Sequence, residues 1–222
     1  MFKDQGQEGA VREEERGDAA VRGSVAGAKT SGVTSVSRPE KDLIEYVRAR
    51  ADETSATELQ AVEGWAYASV YHLILDVGRL FTPAPLPASL SRGYPGFCFS
   101  NAAATCQEQP GVELAYVEGF GSTPVDGHGT VHAPHGWAST PAGDVVDPTW
   151  PYRDGLAYLG IPFANPDDWP HPLLGGGLLV ESRTLIPILR HGLHPGQVAP
   201  LGRSLSTLIG DVSIDIDDET KC

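Results

Sequence analysis

Cysteine is scarce in this chain of 222 residues, with only Cys98, Cys106 and Cys222. An odd number at irregular spacing makes no disulfide framework. Cys98 and Cys106, placed on one helix, stand about 12 Å apart, too far for a bridge. Lysine is missing between Lys41 and Lys221, so arginine supplies the positive charge of the body. No apolar run approaches the roughly 18 residues of a membrane span. The opening Met1-Phe2-Lys3-Asp4-Gln5-Gly6 lacks the apolar centre of a signal peptide. The expectation is a protein without a membrane partner, cytoplasmic by default. Positive charge is short overall, at a formal net charge of −13. Residues 1–42 contribute −1, residues 43–222 contribute −12, and the stretch from Asp211 to Lys221 supplies −4 of that. Such a surface repels phosphate backbones, which argues against nucleic acid and mildly favours basic partners.

The apolar pattern divides the chain. Residues 1–38 have few large apolar side chains and read as a disordered tail, since they cannot offset the entropy of ordering. A domain over 39–210 follows, and then an acidic tail over 211–222. Pro39 suits a first helical position and opens a helix through Ala51. A second helix is expected from Thr57 to Leu80, because apolar residues from Leu59 to Val77 recur at steps of three and four. The prolines at 83, 85 and 87 end that layer. From Val112 the period becomes that of strands: 112–120, 132–139 and 144–147, with Tyr158–Phe163 as an edge strand on account of Pro162. Ser182–His191 reads as a final helix with Gly192 past its end. Helices followed by antiparallel strands make an α+β fold, the helices packed on the sheet.

Three side chains in this frame carry chemistry. Cys98 lies in Gly96-Phe97-Cys98-Phe99-Ser100-Asn101, where a turn gives way to a helix. A helix N-terminus and a neighbouring imidazolium both favour a cysteine thiolate. His135 is suited to be that imidazole and the later acid to a leaving group. Asp147, a short turn away on the next strand, is placed to bind the far ring nitrogen and fix its tautomer. Trp137, Asn101 and His132 are the candidate substrate contacts. The chemistry calls for no cofactor and no metal.

The motifs resemble the transglutaminase-like branch of the papain-like cysteine superfamily. Gly96-Phe97-Cys98, Tyr116-Val117-Glu118-Gly119-Phe120, His135-Gly136-Trp137 and Asp147-Pro148-Thr149 occur in that family's order. They cover roughly residues 93 to 150, and no single one is specific. Phe120 stands where tyrosine is usual and Gly136 where alanine is frequent. The resemblance implies a papain/transglutaminase-like fold, with Cys98, His135 and Asp147 acting on an amide or ester carbonyl through a thioester acyl-enzyme. Hydrolysis is favoured over transfer to an amine, since water is the abundant acceptor, and the substrate is expected to be a peptide or protein amide.

Two rival readings use the same residues. A catalytically inactive relative would keep the fold as a binding module. A zinc site would draw on Asp126, His128, His132 and His135, although strand alternation sends His132 and His135 to opposite faces. The loop from Gly121 to His132 is expected to cover the site. Gly175-Gly176-Gly177 is no phosphate loop, because no lysine follows it, and it reads as a flexible turn.

Overall fold

The computed structural model describes residues 35–56, 64–108, 113–151, 154–173 and 175–210. The two expected tails, apart from residues 35–38, and the stretch 57–63 of the expected second helix lie outside the described residues. Helix α1 spans Arg38–Ala56 and α2 spans Val70–Val77. Strand β1 (Arg79–Phe81) is followed by α3 (Cys98–Gln107), β2 (Ala115–Val125), β3 (Gly129–Ser139), β4 (Val145–Val146) and β5 (Ala157–Phe163). Helix α4 (Ser182–His191), β6 (Arg203–Ser204) and α5 (Leu205–Gly210) complete the order. The strands form one antiparallel sheet in the order β4-β3-β2-β5-β1-β6. The α+β expectation holds at this level. Among the described residues, no helix is long and apolar enough to cross a membrane.

The long second helix is not formed as expected. Gly64 adopts φ +88°, outside the helical region, and the next residues turn their amides elsewhere. The amides of Ala66 and Tyr67 bond to the carbonyls of Arg190 and Leu189 at the end of α4. Among the described residues of that stretch the helix survives in α2, where Leu73 and Ile74 are buried. The end of the expected helix is strand β1, which pairs Leu80 with Leu159.

Strand β5 is likewise not an edge. It lies between β2 and β1, and all seven of its residues are buried. Pro162 is tolerated because β1 reaches only to Gly160, so Pro162 has a strand ladder on the β2 side alone. The segment expected as a covering loop is also strand. Gly121 and Ser122 are paired within β2 and Val131 and His132 within β3, closed by a turn in which Gly127 and Gly129 have positive φ.

Both faces of the central strands are covered. Tyr116, Phe120, Leu159, Ile161 and Phe163 pack with α1, α2 and α3 through Leu43, Val47, Leu73, Ile74, Ala102 and Ala103. The opposite face gathers Phe81, Val117, Trp137, Val145 and Tyr158. The small side chains of α3 let that helix lie close to the sheet, which is what brings its first turn to β3.

One carboxyl interrupts the apolar layer. Glu118 is 1% exposed and accepts from Tyr116 Oη at 2.8 Å, Leu178 N at 2.6 Å and Leu179 N at 2.7 Å. It thereby holds the glycine segment 175–177 and the residues after it against the sheet. A Cβ at Gly177 would meet Glu118 Oε1 at 2.4 Å and the Phe99 ring at 3.0 Å, and one at Gly175 would meet Ser100 Oγ at 2.8 Å. The glycine triplet is a packed element seated on α3, which its composition alone does not convey.

Burial pushes the Glu118 carboxyl up to about 7, against the lowering effect of its three donors. Between about pH 4.5 and pH 7 the folded chain keeps a proton that the unfolded chain has lost, so stability falls as pH rises through this window. The expected loss is on the order of 3 kcal/mol. Thermal unfolding at pH 4.5 and pH 8 should show this decrement in the wild-type chain and its absence in Glu118→Gln, after the change common to both is subtracted.

Candidate active site

Cys98 is the first residue of α3 and is half-buried. The turn before it ends at Phe97, with φ −110° and ψ 42°, and no side chain caps the helix. The amides of the first turn therefore point outward without an intrahelical acceptor, as the geometry of any helix start requires. His135 lies on β3 opposite Gly119 of β2. On its other side β3 is open at this point, since β4 pairs only with Ala138 and Ser139. The first turn of α3 comes in there. Gly136 makes the approach possible: a Cβ would come within 2.9 Å of Phe99 Cδ1 and 3.1 Å of Phe99 Cα. The residue beside the histidine and the residue beside the cysteine thus touch backbone to backbone.

Asp147 follows β4 directly, and Pro148 ends the strand. The carboxylate is 5% exposed and has four donors. Its Oδ1 accepts from the amides of Thr149 at 2.7 Å and Trp150 at 3.0 Å, a local turn closed by an aspartate. Its Oδ2 binds His135 Nε2 and Tyr158 Oη, both at 2.8 Å. With Nε2 taken, Nδ1 is the nitrogen left for Cys98, whose sulfur is close enough to act on the ring as hydrogen-bond partner and as charge. Burial alone would lower the His135 ring, but the bonds to Asp147 and Cys98 outweigh it and raise the ring above 6.5. For Asp147 burial pulls upward, and the His135 bond with the two amides brings it below the usual carboxylate value. Burial and the adjacent carboxylate keep Tyr158 a neutral phenol, so it donates.

Aromatic packing fixes the imidazole plane. Trp150 stacks on His135 with centroids 3.7 Å apart and planes 10° from parallel. Gly121 gives the indole its place, since a Cβ there would stand 2.6 Å from Trp150 Cζ3. A second brace joins the cysteine helix to the aspartate turn. Asn101 Nδ2 donates to Tyr94 O at 2.8 Å and Thr149 Oγ1 at 2.9 Å, and Gly93 N donates to Pro148 O at 2.8 Å.

The structure thus brings Cys98, His135 and Asp147 together and sorts the other three candidates differently. Trp137 is fully buried between Phe81 and Tyr158, so it supports the sheet beneath His135 and offers no surface to a substrate. Asn101 has both amide hydrogens committed to the brace, which makes it a positioning residue and not a substrate contact. His132 faces away from the triad, three residues from His135 on an alternating strand. Its Nδ1 is 2.8 Å from Ser122 Oγ and its ring 4.9 Å from that of Tyr46 on α1. The zinc reading has no convergent ligands: among the described residues no three His, Cys, Asp or Glu side chains form a metal-holding group. Trp150, Tyr158 and Gly121 are the site residues that sequence alone did not single out. The indole directly after Asp147-Pro148-Thr149 was the available signal.

Cys106, at the far end of the same helix, is a contrasting thiol. Burial pushes it up to about 12, which makes it inert at neutral pH. Comparison of the chain with protein-family models, curated proteins and solved structures finds no match.

Two substitutions probe this geometry. Gly136→Val should force α3 off β3, costing about 1–3 kcal/mol by overpacking and slowing modification of Cys98, as urea unfolding and thiol labelling will show. In Asp147→Asn the burial of His135 is no longer offset by a carboxylate. Its titration, followed by imidazole NMR, should move to lower pH than in the wild-type chain.

Proposed function

We propose that this protein is a cysteine enzyme of papain/transglutaminase-like fold, which cleaves an amide or ester through a thioester on Cys98. The observation that carries the reading is the division of the His135 ring: Asp147 holds Nε2 and leaves Nδ1 for Cys98, which begins a helix whose amides have no side-chain cap. A histidine oriented by a carboxylate and turned toward a thiol is the arrangement that nucleophilic catalysis requires.

The chemistry follows from these positions. Nδ1 takes the thiol proton, and the ion pair is stabilised by Asp147 on the other nitrogen. The sulfur attacks the substrate carbonyl carbon, and the developing oxyanion is met by the first-turn amides of α3, that of Cys98 foremost. His135 returns its proton to the leaving nitrogen or oxygen as the bond to carbon breaks. A water then loses a proton to His135 and attacks the thioester, releasing an acid and restoring the thiol. The stacked Trp150 keeps water from the His135–Asp147 bond. Hydrolysis is the favoured outcome, with a peptide or protein amide, basic in keeping with the net charge of −13, as the substrate.

Alkylation of the full chain by iodoacetamide at pH 6.5 tests the proposal. Cys98 should react at least about tenfold faster than the thiol of glutathione under the same conditions, and His135→Ala should remove the advantage. A Cys98 rate no higher than that of glutathione, indifferent to His135, would overturn it.

A further inference from the structure

The start of the cysteine helix bears a segment that the proposed reaction does not use. Gly175 and Gly177 lie on the first turn of α3, against the two residues that follow Cys98. A Cβ at Gly175 would stand 2.8 Å from Ser100 Oγ, and one at Gly177 would stand 3.0 Å from Phe99 Cε1. The same edge of the Phe99 ring meets β3, since a Cβ at Gly136 would come within 2.9 Å of Phe99 Cδ1. Phe99 therefore sits in a notch between the glycine segment and the strand residue next to His135. Its backbone continues directly from that of Cys98.

Glu118 is what ties this segment down. Its Oε1 would be 2.4 Å from a Cβ at Gly177, so carboxyl and ring share the space left by one absent side chain. The amides of Leu178 and Leu179 donate to the carboxyl at 2.6 Å and 2.7 Å, and Tyr116 Oη donates at 2.8 Å. The far side is tied to the start of α4: Gly177 O accepts from the amides of Val180 and Glu181, and Leu178 O from Thr184 Oγ1. Three donors suit an ionised carboxyl, which only accepts. A protonated carboxyl has an O–H of its own to place among these donors, so at least one of the three bonds must reverse or break.

We infer that Glu118 is a positioning residue for the nucleophile: through Gly177 and the Phe99 ring it sets where Cys98 stands relative to His135. The inference rests on the cysteine-enzyme reading above. Glu118 acts through the backbone that Cys98 shares with Phe99, since its own oxygens are taken by Tyr116, Leu178 and Leu179. Burial places the carboxyl at about 7, so the positioning comes and goes with its charge near neutrality. The titratable groups about it are Tyr116 on its own strand, Tyr71 of α2 on the same small cavity, and Glu181 before α4, whose charge opposes that of Glu118. Burial keeps Tyr116 a neutral donor throughout this range.

Alkylation of Cys98 by iodoacetamide on the full chain, wild-type against Glu118→Gln, tests this at about pH 5.5 and about pH 8.5, on either side of the Glu118 value of about 7. Glutamine has the shape of the protonated carboxyl, so the two rates should agree at the lower pH. At the higher pH the wild-type chain should react about tenfold faster, the scale on which a small misplacement of a reacting group is felt. A merely structural loss would give a ratio indifferent to pH. Gly177→Ala, which keeps the carboxyl and crowds the Phe99 ring, should slow Cys98 at the higher pH. It should do so less in a Phe99→Leu background, where the crowded ring atom is gone. That pair decides the matter if Glu118→Gln does not fold. A wild-type-to-variant ratio that does not change with pH, or a Gly177→Ala effect that is nil or independent of Phe99, overturns the positioning role. A wild-type Cys98 that outpaces glutathione then leaves the enzyme reading standing, whereas a rate no higher than that of glutathione overturns both.

Discussion

The carboxylate of Asp147 is the point on which the site is built. Four donors from three parts of the chain converge on it: His135 of β3, Tyr158 of β5 and two amides of its own turn. A buried carboxylate stripped of partners is among the costliest groups a fold can contain, whereas one with four donors ties those parts into one geometry. The position of the His135 ring, the seat of Trp150 above it and the placement of the Asn101 brace through Thr149 all follow from it.

Glu118 uses the same physics on the other face with a different result. It too is buried and holds three donors, but burial wins over them and leaves a group that titrates near neutrality, at about 7. Asp147 stays charged because a cationic imidazole is among its partners, whereas Glu118 has only neutral ones. The first carboxyl orients the His135 ring. The second holds the segment that follows the glycine triplet against the sheet through the amides of Leu178 and Leu179.

Much of the site was readable because it is local. Asp147-Pro148-Thr149-Trp150 folds its own turn, and a cysteine after Gly96 at the start of a small-residue helix advertises itself. Strand alternation already set His132 against His135. What misled was composition read without neighbours. Trp137 has the residue type of a binding wall but lies on a strand position sealed by Phe81 and Tyr158. Pro162 suggests an edge, yet it sits in a central strand just past the end of its shorter neighbour. The helical period through residue 80 did not show that Gly64 departs from the helix and that the following amides find acceptors on α4.

The sequence by itself determined the α+β order, the three side chains that the fold brings together and the acidic balance of the surface, because each depends on residue type and short-range spacing. Tertiary structure alone decided which histidine nitrogen binds the carboxylate, which aromatic covers the ring and which glycine lets the helix meet the strand. Those outcomes depend on contacts between segments far apart in the chain, where one absent side chain at Gly121 or Gly136 sets the distance and no local pattern records what will be packed against it.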